Sequence, residues 1–331
     1  MSLYRQESTL RGPSSGRKAT VRCRAIEEAD LESIVPILAS AFGCPHRSVG
    51  SRLYAAAQKY LGITSRRAVS ANMRAHVFWK TALRRLGNRE VPSGYPKYGL
   101  MLTADDLPVG LLLVILTQVV VDGESRIRCN LSSWYVDAEY RAYGPMLVLR
   151  AMKDKNVTYF NVTPSPATWP ILQVQGFRPI CAGRLLCVPL LSRGARRCKV
   201  DPLGSHLKST DGLSQFEVHL VRDHEAWGCL SFVCRLDGCA HPFVFSAPQH
   251  VGYIKYVYLI YSRSLEEFIW FARPLGVALA RHGVFLAALG ADGPLAGLVG
   301  TFRPDKPQYS KGPHALTQGD LAYSERAILG F

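Results

Sequence analysis

The run from Val109 to Val121 leaves this chain the least freedom. It is Leu- and Val-rich with no helical period, so it reads as a long central strand. Asp122-Gly123 closes it with a hairpin turn signal, which sends Ser125–Leu131 back alongside it. Tyr98–Thr103 precedes it as a short strand, joined through the turn at Ala104–Pro108. Residues 98–136 therefore predict successive strands of one sheet, antiparallel at first.

The last of these strands leads into the stretch that carries chemistry. The apolar run Trp134–Val136 ends in a polar turn, and a helical pattern starts at Pro145 and carries Leu147, Val148 and Met152. A strand feeding a glycine turn and a helix points backbone N–H groups and a helix N-terminus at one spot, which suits a phosphate. The connection Arg141-Ala142-Tyr143-Gly144-Pro145-Met146 resembles the pyrophosphate loop of the GNAT acyl-CoA N-acyltransferases, Gln/Arg-x-x-Gly-x-Gly/Ala. Arg141 and Gly144 match; Met146 replaces the last small residue, and Pro145 has no N–H to offer. The alternative is an ordinary strand-to-helix turn with proline in the first helical turn.

The resemblance implies acyl-CoA or acetyl-CoA as co-substrate and no metal. It implies cofactor contacts along Tyr135 and Val136 for pantetheine, and from Arg141, Ala142, Tyr143, Gly144, Pro145 and Met146 for the pyrophosphate. Downstream, Val157–Thr163 reads as a strand, Pro164–Pro170 starts a short helix, and Gly176-Phe-Arg-Pro179 leads to a last strand over Ile180–Pro189. That Gly-Phe resembles the family's closing motif. The family often places Asn on the strand–helix turn, where Ser165 stands, and a Tyr general acid four residues before the Gly, where Leu172 stands. The indole of Trp169 does not titrate and cannot replace that acid. Candidate catalytic groups are therefore Asp137 and Glu139 as base and Tyr143, with Tyr140, as acid. Each carboxylate also reads as a solvated turn acid.

The chain of 331 residues carries a net charge of +15, with a hydrophobic fraction of 48%. The charge attracts acidic partners such as CoA phosphates, an acidic carrier protein, anionic lipid or nucleic acid. Nucleic acid fits least, because the aromatics lie on core-like strands rather than interleaved with Arg and Lys on one stripe. The nine cysteines show no CxxC pair and no ligand spacing, which fits free thiols in a reducing, cytoplasmic setting. No apolar run is long enough for a membrane span. No Walker, Rossmann, zinc or Gly-x-Ser-x-Gly motif occurs.

Residues 1–19 read as a disordered basic tail, then Thr20–Ile26 as a strand and Leu31–Phe42 as a helix. Val49–Leu61 and Ala68–Leu86 read as amphipathic helices. The basic, turn-rich stretch 192–214, with Arg193, Arg196, Arg197 and Lys199, reads as a linker.

The second half repeats the first. Phe216–Val221 alternates like a strand, Gly228–Phe245 is strand, Asp-Gly turn and strand, and Tyr253–Tyr261 is a strand. A helix then runs to Arg281, with Pro274 as a kink or interruption, and Gly300-Thr-Phe-Arg-Pro304 echoes Gly176-Phe-Arg-Pro179. Glu266 and Glu267 stand where phosphate would sit, which marks a unit that has lost CoA binding. From Pro304 the chain reads as loop-rich with a final short helix.

The expected fold is α/β: two GNAT-like mixed α/β domains, each a mostly antiparallel sheet flanked by helices. The expected boundaries are 20–191 for an acyl-CoA-binding domain, 192–214 for a linker and 215–331 for a degenerate second domain. The resemblance implies acyl transfer from acyl-CoA, or an acyl carrier protein, to a small-molecule or peptide amine or hydroxyl acceptor. A non-catalytic protein that keeps the fold and binds an acidic ligand or partner is the alternative.

Overall fold

The computed structural model describes residues 8–11, 20–44, 66–121, 123–195, 198–202, 212–251 and 254–330. They fall into two compact units, one ending at Phe160 and one running from Asn161. The helix expected over 49–61 lies outside the described residues.

The first unit is one sheet with its strands in chain order: β1 (Ser8–Arg11), β2 (Thr20–Ala25), β3 (Gly99–Ala104), β4 (Leu107–Val121), β5 (Glu124–Val136) and β6 (Val157–Asn161). Every neighbouring pair is antiparallel except β5 and β6. Asp105 and Asp106 both take positive φ, 48° and 66°, the backbone of a tight hairpin turn between β3 and β4. Helices α1 (Leu31–Phe42) and α2 (Arg66–Gly87) pack on each other, and α3 (Gly144–Ala151) touches β3 and β4. α1 buries Ile34, Val35 and Leu38, and α2 buries Ala75, Trp79, Ala82, Leu83 and Leu86, all at helical spacing. Leu111–Leu116 of β4 are buried throughout, as the apolar run required. Within the stretch expected to be a disordered tail, Ser8–Arg11 pairs with β2 instead. The open edge of β2 offers unpaired N–H and C=O groups, and an extended segment satisfies them.

The second unit holds α4 (Trp169–Val174), β7 (Arg178–Cys181), β8 (Gly183–Cys187), β9 (Lys199–Pro202), α5 (Gln215–Ala226), β10 (Leu230–Leu236), β11 (Cys239–Phe245) and β12 (Gln249–Val251). It continues with β13 (Ile254–Tyr261), α6 (Leu265–Arg281), β14 (Leu286–Ala291), β15 (Gly300–Arg303), β16 (Gln308–Lys311) and α7 (Glu325–Ile328). Its sheet runs β15-β8-β14-β13-β11-β10-β9, with β12 also on β13, while β7 pairs with β16 outside that sheet. Only β13 and β14 are parallel among the described pairs of that sheet. Two mostly antiparallel sheets flanked by helices thus make up the chain.

Two local expectations differ from the structure. Residues 216–221 are helical, because Ser214 and Glu217 form a capping box and Val218, Leu220, Val221 and His224 line one buried face. The single strand expected over 180–189 breaks at Ala182: β7 pairs with β16, and β8 lies between β14 and β15. Residues 161–191, expected to close the first domain, therefore pack with the second half. The helix runs to Arg281 as expected, and Pro274 does not interrupt it, since Phe268, Phe271, Leu275 and Leu279 hold one continuous apolar face in the core.

The 3-10 turn at Pro189–Leu191 lies directly on α6. A Cβ on Gly276 would sit 2.3 Å from the Leu190 nitrogen and 2.7 Å from its Cα. Gly→Ala inside a free helix gains about 1 kcal/mol. Here the gain is overrun by overpacking of about 1–3 kcal/mol. Gly276→Ala is expected to lower the thermal midpoint by roughly 3–8 °C in a circular-dichroism melt. A raised midpoint would show that the turn gives way.

Candidate functional site

The site begins where two parallel strands part. β5 and β6 pair from Ile127↔Val157 to Asn130↔Phe160, and β5 then continues to Val136. Asn130 is fully buried, and its Nδ2 donates to the carbonyls of Leu131 and Phe160, each at 3.1 Å. The side-chain amide thus bridges the apex of the split, in place of the next backbone bond. Just beyond, the register against β4 slips: Leu113 faces Ser132 and Leu111 faces Tyr135, so Ser133 and Trp134 share one partner. Ser133 takes φ 51°, a left-handed backbone that costs a non-glycine residue about 1–2 kcal/mol. The bulge bends the strand end and re-aims Tyr135 and Val136. The Asp137 N–H donates to the Val109 carbonyl at 2.8 Å, so the N–H and C=O of Val136 point away from β4. They face the side on which pairing with β6 has stopped.

Above this strand end the chain forms a 3-10 helix, Ala138–Tyr143, and then α3. Glu139, Arg141, Ala142 and Pro145 are exposed, Tyr143 and Met146 are half-buried, and Gly144 is buried. Gly144 has ordinary helical dihedrals, φ −52° and ψ −45°, so no left-handed turn demands it. Packing favours it: a Cβ there would stand 3.3 Å from Cζ2 of Trp134, a tight contact, and 3.6 Å from a Val136 methyl. The missing side chain lets α3 start directly over the end of β5. The Trp134 Nε1 is buried with no hydrogen-bond partner. The 3-10 helix uses its own amides, as in Tyr140 N–H to Asp137 O at 2.9 Å, and the Gly144 N–H donates back to Arg141 O, so the exposed Arg141 side chain is the main group here for an anion.

Tyr135 and Asp137, adjacent on one face of the strand end, are joined: the phenol donates to Asp137 Oδ1 at 2.7 Å. That hydrogen bond to a carboxylate pushes the Tyr135 phenol above its ordinary range. Ser165 belongs to the second unit, where its Oγ lies 3.0 Å from Thr168 Oγ1. Leu172 is buried in α4. Sequence patterns did not single out Asn130, Ser133 or the Tyr135 hydroxyl. A lone Asn in an apolar strand was the one available signal, and nothing in the sequence announces the bulge. Among the described residues no cluster of His, Cys, Asp and Glu is arranged to hold a metal ion.

The second unit repeats the split and fills it. β13 pairs with β14 from Tyr256↔Leu286 to Tyr258↔Ala288 and then runs on to Tyr261. Here the chain's own later segment takes the open side. Leu321 N–H donates to Ile260 O at 2.7 Å, Tyr261 bridges Asp320, and Ser262 N–H donates to Gly319 O at 2.9 Å. Leu321–Leu329 are buried. The loop-rich stretch expected after Pro304 thus ends as core. Arg263, at the turn after β13, is held by the buried Glu217, Nε to Oε1 at 2.6 Å and Nη2 to Oε2 at 2.9 Å. This pairing lowers the Glu217 pKa against burial, which acts the other way and more strongly as a single cause. Thr163 donates to the buried Glu325 carboxylate, and the Arg326 guanidinium lies 3.9 Å from the Tyr258 ring centre.

No family model matches the chain, and no curated protein matches it in sequence. Solved structures do resemble it. A GCN5-related N-acetyltransferase from Anabaena variabilis aligns over 88% of this chain and 72% of its own, at 9% identity and TM-score 0.50. One from Kribbella flavida aligns over 88% and 71%, at 14% identity and TM-score 0.46. Saccharomyces cerevisiae N-myristoyltransferase with bound myristoyl-CoA aligns over 94% and 86%, at 10% identity and TM-score 0.45. At such identities the likeness is one of fold, and the chain has the fold of the GCN5-related N-acetyltransferases.

The filled split is locked by a histidine. Tyr323 N–H donates to His224 Nε2 at 3.1 Å, so Nδ1 carries the proton it shares with Leu220 O at 2.7 Å. The bond from Tyr323 needs the Nε2 lone pair and so the neutral ring, and burial pushes the ring's pKa down to about 4. The unfolded imidazole titrates near 6.5 and takes up its proton first as pH falls. This contribution is whole above about pH 6.5 and is lost progressively toward about pH 4. Urea midpoints at about pH 7, 6 and 5 are expected to fall more steeply for wild type than for His224→Gln. Parallel lines would remove His224 from the acid sensitivity.

Proposed function

We propose that the first unit binds an acyl-CoA against the end of β5 and that the protein transfers the acyl group to an amine or hydroxyl acceptor. The parting of β5 from β6 beyond Asn130, with the bulge at Ser133, carries this reading. It leaves the N–H and C=O of Val136 directed to an open side, where the amides of a pantetheine arm pair as an added strand would. The phosphates then meet the first turn of α3 and the exposed Arg141, and the closeness of Gly144 to Trp134 sets the floor under them. Pro145 has no N–H and that of Gly144 is bonded to Arg141 O, so the Arg141 side chain carries most of the charge.

Transfer needs the acceptor as a free amine or hydroxyl. A base takes its proton, the nitrogen or oxygen attacks the thioester carbonyl, and the tetrahedral intermediate expels the thiolate of CoA. With a leaving-group pKa near 8.5, the thiolate departs with little help, so Leu172 in place of an acid does not stop the reaction. Removal of a general acid forfeits about 10²–10⁴-fold. Asp137, oriented by the Tyr135 hydroxyl, and the exposed Glu139 are the nominated bases, with Tyr143 beside them. The second unit offers no such slot of its own, since its own chain fills the corresponding split.

Two measurements test this reading. Gly144→Asp places a side chain against Trp134 and a negative charge beside the phosphates. Charge-assisted contacts are worth about 1.5–3 kcal/mol each, so CoA affinity measured by calorimetry should fall at least tenfold. Unchanged binding sinks the loop assignment. Asp137→Asn combined with Glu139→Gln should lower thiol release about tenfold or more across acyl-CoAs and acceptors, with CoA affinity near wild type. A wild type that binds CoA and releases no thiol favours the non-catalytic reading.

A further inference from the structure

On the second unit, one face combines exposed apolar side chains with cations. On α6, Trp270, Arg273, Val277 and Arg281 recur at three- and four-residue spacing and are all exposed, Trp270 to 54% and Val277 to 43%. The segment Val188–Ala195 runs beside this stripe. Ala195 N–H donates to Trp270 O at 2.8 Å, Leu190 lies against Gly276, and Leu191 is 62% exposed between them, followed by exposed Arg193. A third segment completes the face: Arg193 N–H donates to Gly297 O at 3.0 Å, and Val188 N–H donates to Val299 O at 2.8 Å, with Val299 exposed. Phe285, just past the helix, is 53% exposed. Glu266 is the acid on the exposed face of α6, one turn before Trp270.

We propose that this face rests on the surface of a bilayer containing anionic phospholipid. Trp270, Leu191 and Val277 alternate with Arg193, Arg273 and Arg281, so the face offers indole, aliphatic and guanidinium groups side by side rather than one apolar centre with a polar rim. A lipid headgroup region accepts all three at once. Indole sits at headgroup level, Leu191 and Val277 reach toward the acyl boundary, and Arg193, Arg273 and Arg281 meet phosphate oxygens. The net charge of +15 steers the chain to such a surface. Among the described residues no helix is long and apolar enough to cross a membrane, so the contact is peripheral.

Sedimentation of the full chain with phosphatidylcholine vesicles, with and without about 30% phosphatidylserine, tests this directly. Binding is expected with phosphatidylserine alone among the two, and release at about 0.5 M salt. Trp270→Ala with Val277→Ser, and separately Arg193→Glu with Arg273→Glu, should each weaken partitioning about tenfold. Arg84→Glu with Arg85→Glu on α2 should leave it nearly unchanged. Brominated lipid should quench tryptophan emission in wild type and quench less in Trp270→Phe, a readout that survives if a double variant folds poorly. Failure to sediment with anionic vesicles overturns the proposal, as does equal binding by the face variants or loss confined to the α2 variant. Binding of purified acyl carrier protein that depends on Trp270, without vesicle binding, would replace the lipid by an acidic protein.

Discussion

The parallel pairing of β5 with β6 stops at Asn130 and Phe160, and that stop sets the course of the strand end beyond it. A backbone leaving a sheet must find partners for its N–H and C=O groups or leave them to solvent or a ligand. The first unit answers in three ways. The Asn130 amide serves the two carbonyls at the apex, the bulge at Ser133 turns the strand, and Val136 keeps its polar groups outward. α3 approaches closely with Gly144 bringing no side chain to the Trp134 ring, where a Cβ would make a tight 3.3 Å contact.

The second unit meets the same constraint and resolves it internally. Tyr258 and Ala288 end its parallel pairing, and Ile260 then receives Leu321 from the chain's own later segment. The two arginines after the two strands show the same contrast. Arg141 is exposed, whereas Arg263 is neutralised by Glu217 from α5. One fold thus supports an open slot and a closed one, depending on whether the chain supplies the missing strand.

Much of this was legible in the residues. Apolar content and turn chemistry mark β4 and the Asp-Gly hairpin turn between β10 and β11, because these depend on near neighbours. The Arg141–Gly144 spacing located the strand-to-helix turn but not its conformation. The 3-10 helix and the role of Gly144 depend on Trp134, which meets the glycine only in three dimensions. The alternation at 216–221 was too short to separate strand from helix, and the capping box decided it. The break at Ala182 was hidden because it is set by β14, β15 and β16, far along the chain.

That break has a temporal consequence. β8 is complete at Cys187, yet its two neighbours end at Ala291 and Arg303. At ~5–20 residues per second, a ribosome adds the intervening chain in roughly 6–20 s. Throughout that interval Leu185 and Cys187, both buried in the finished core, have no sheet to enter. The nascent chain therefore carries a naked apolar strand for seconds, long enough for a chaperone to hold it. The second unit cannot close by growing outward from its first strand; it must wait for its last.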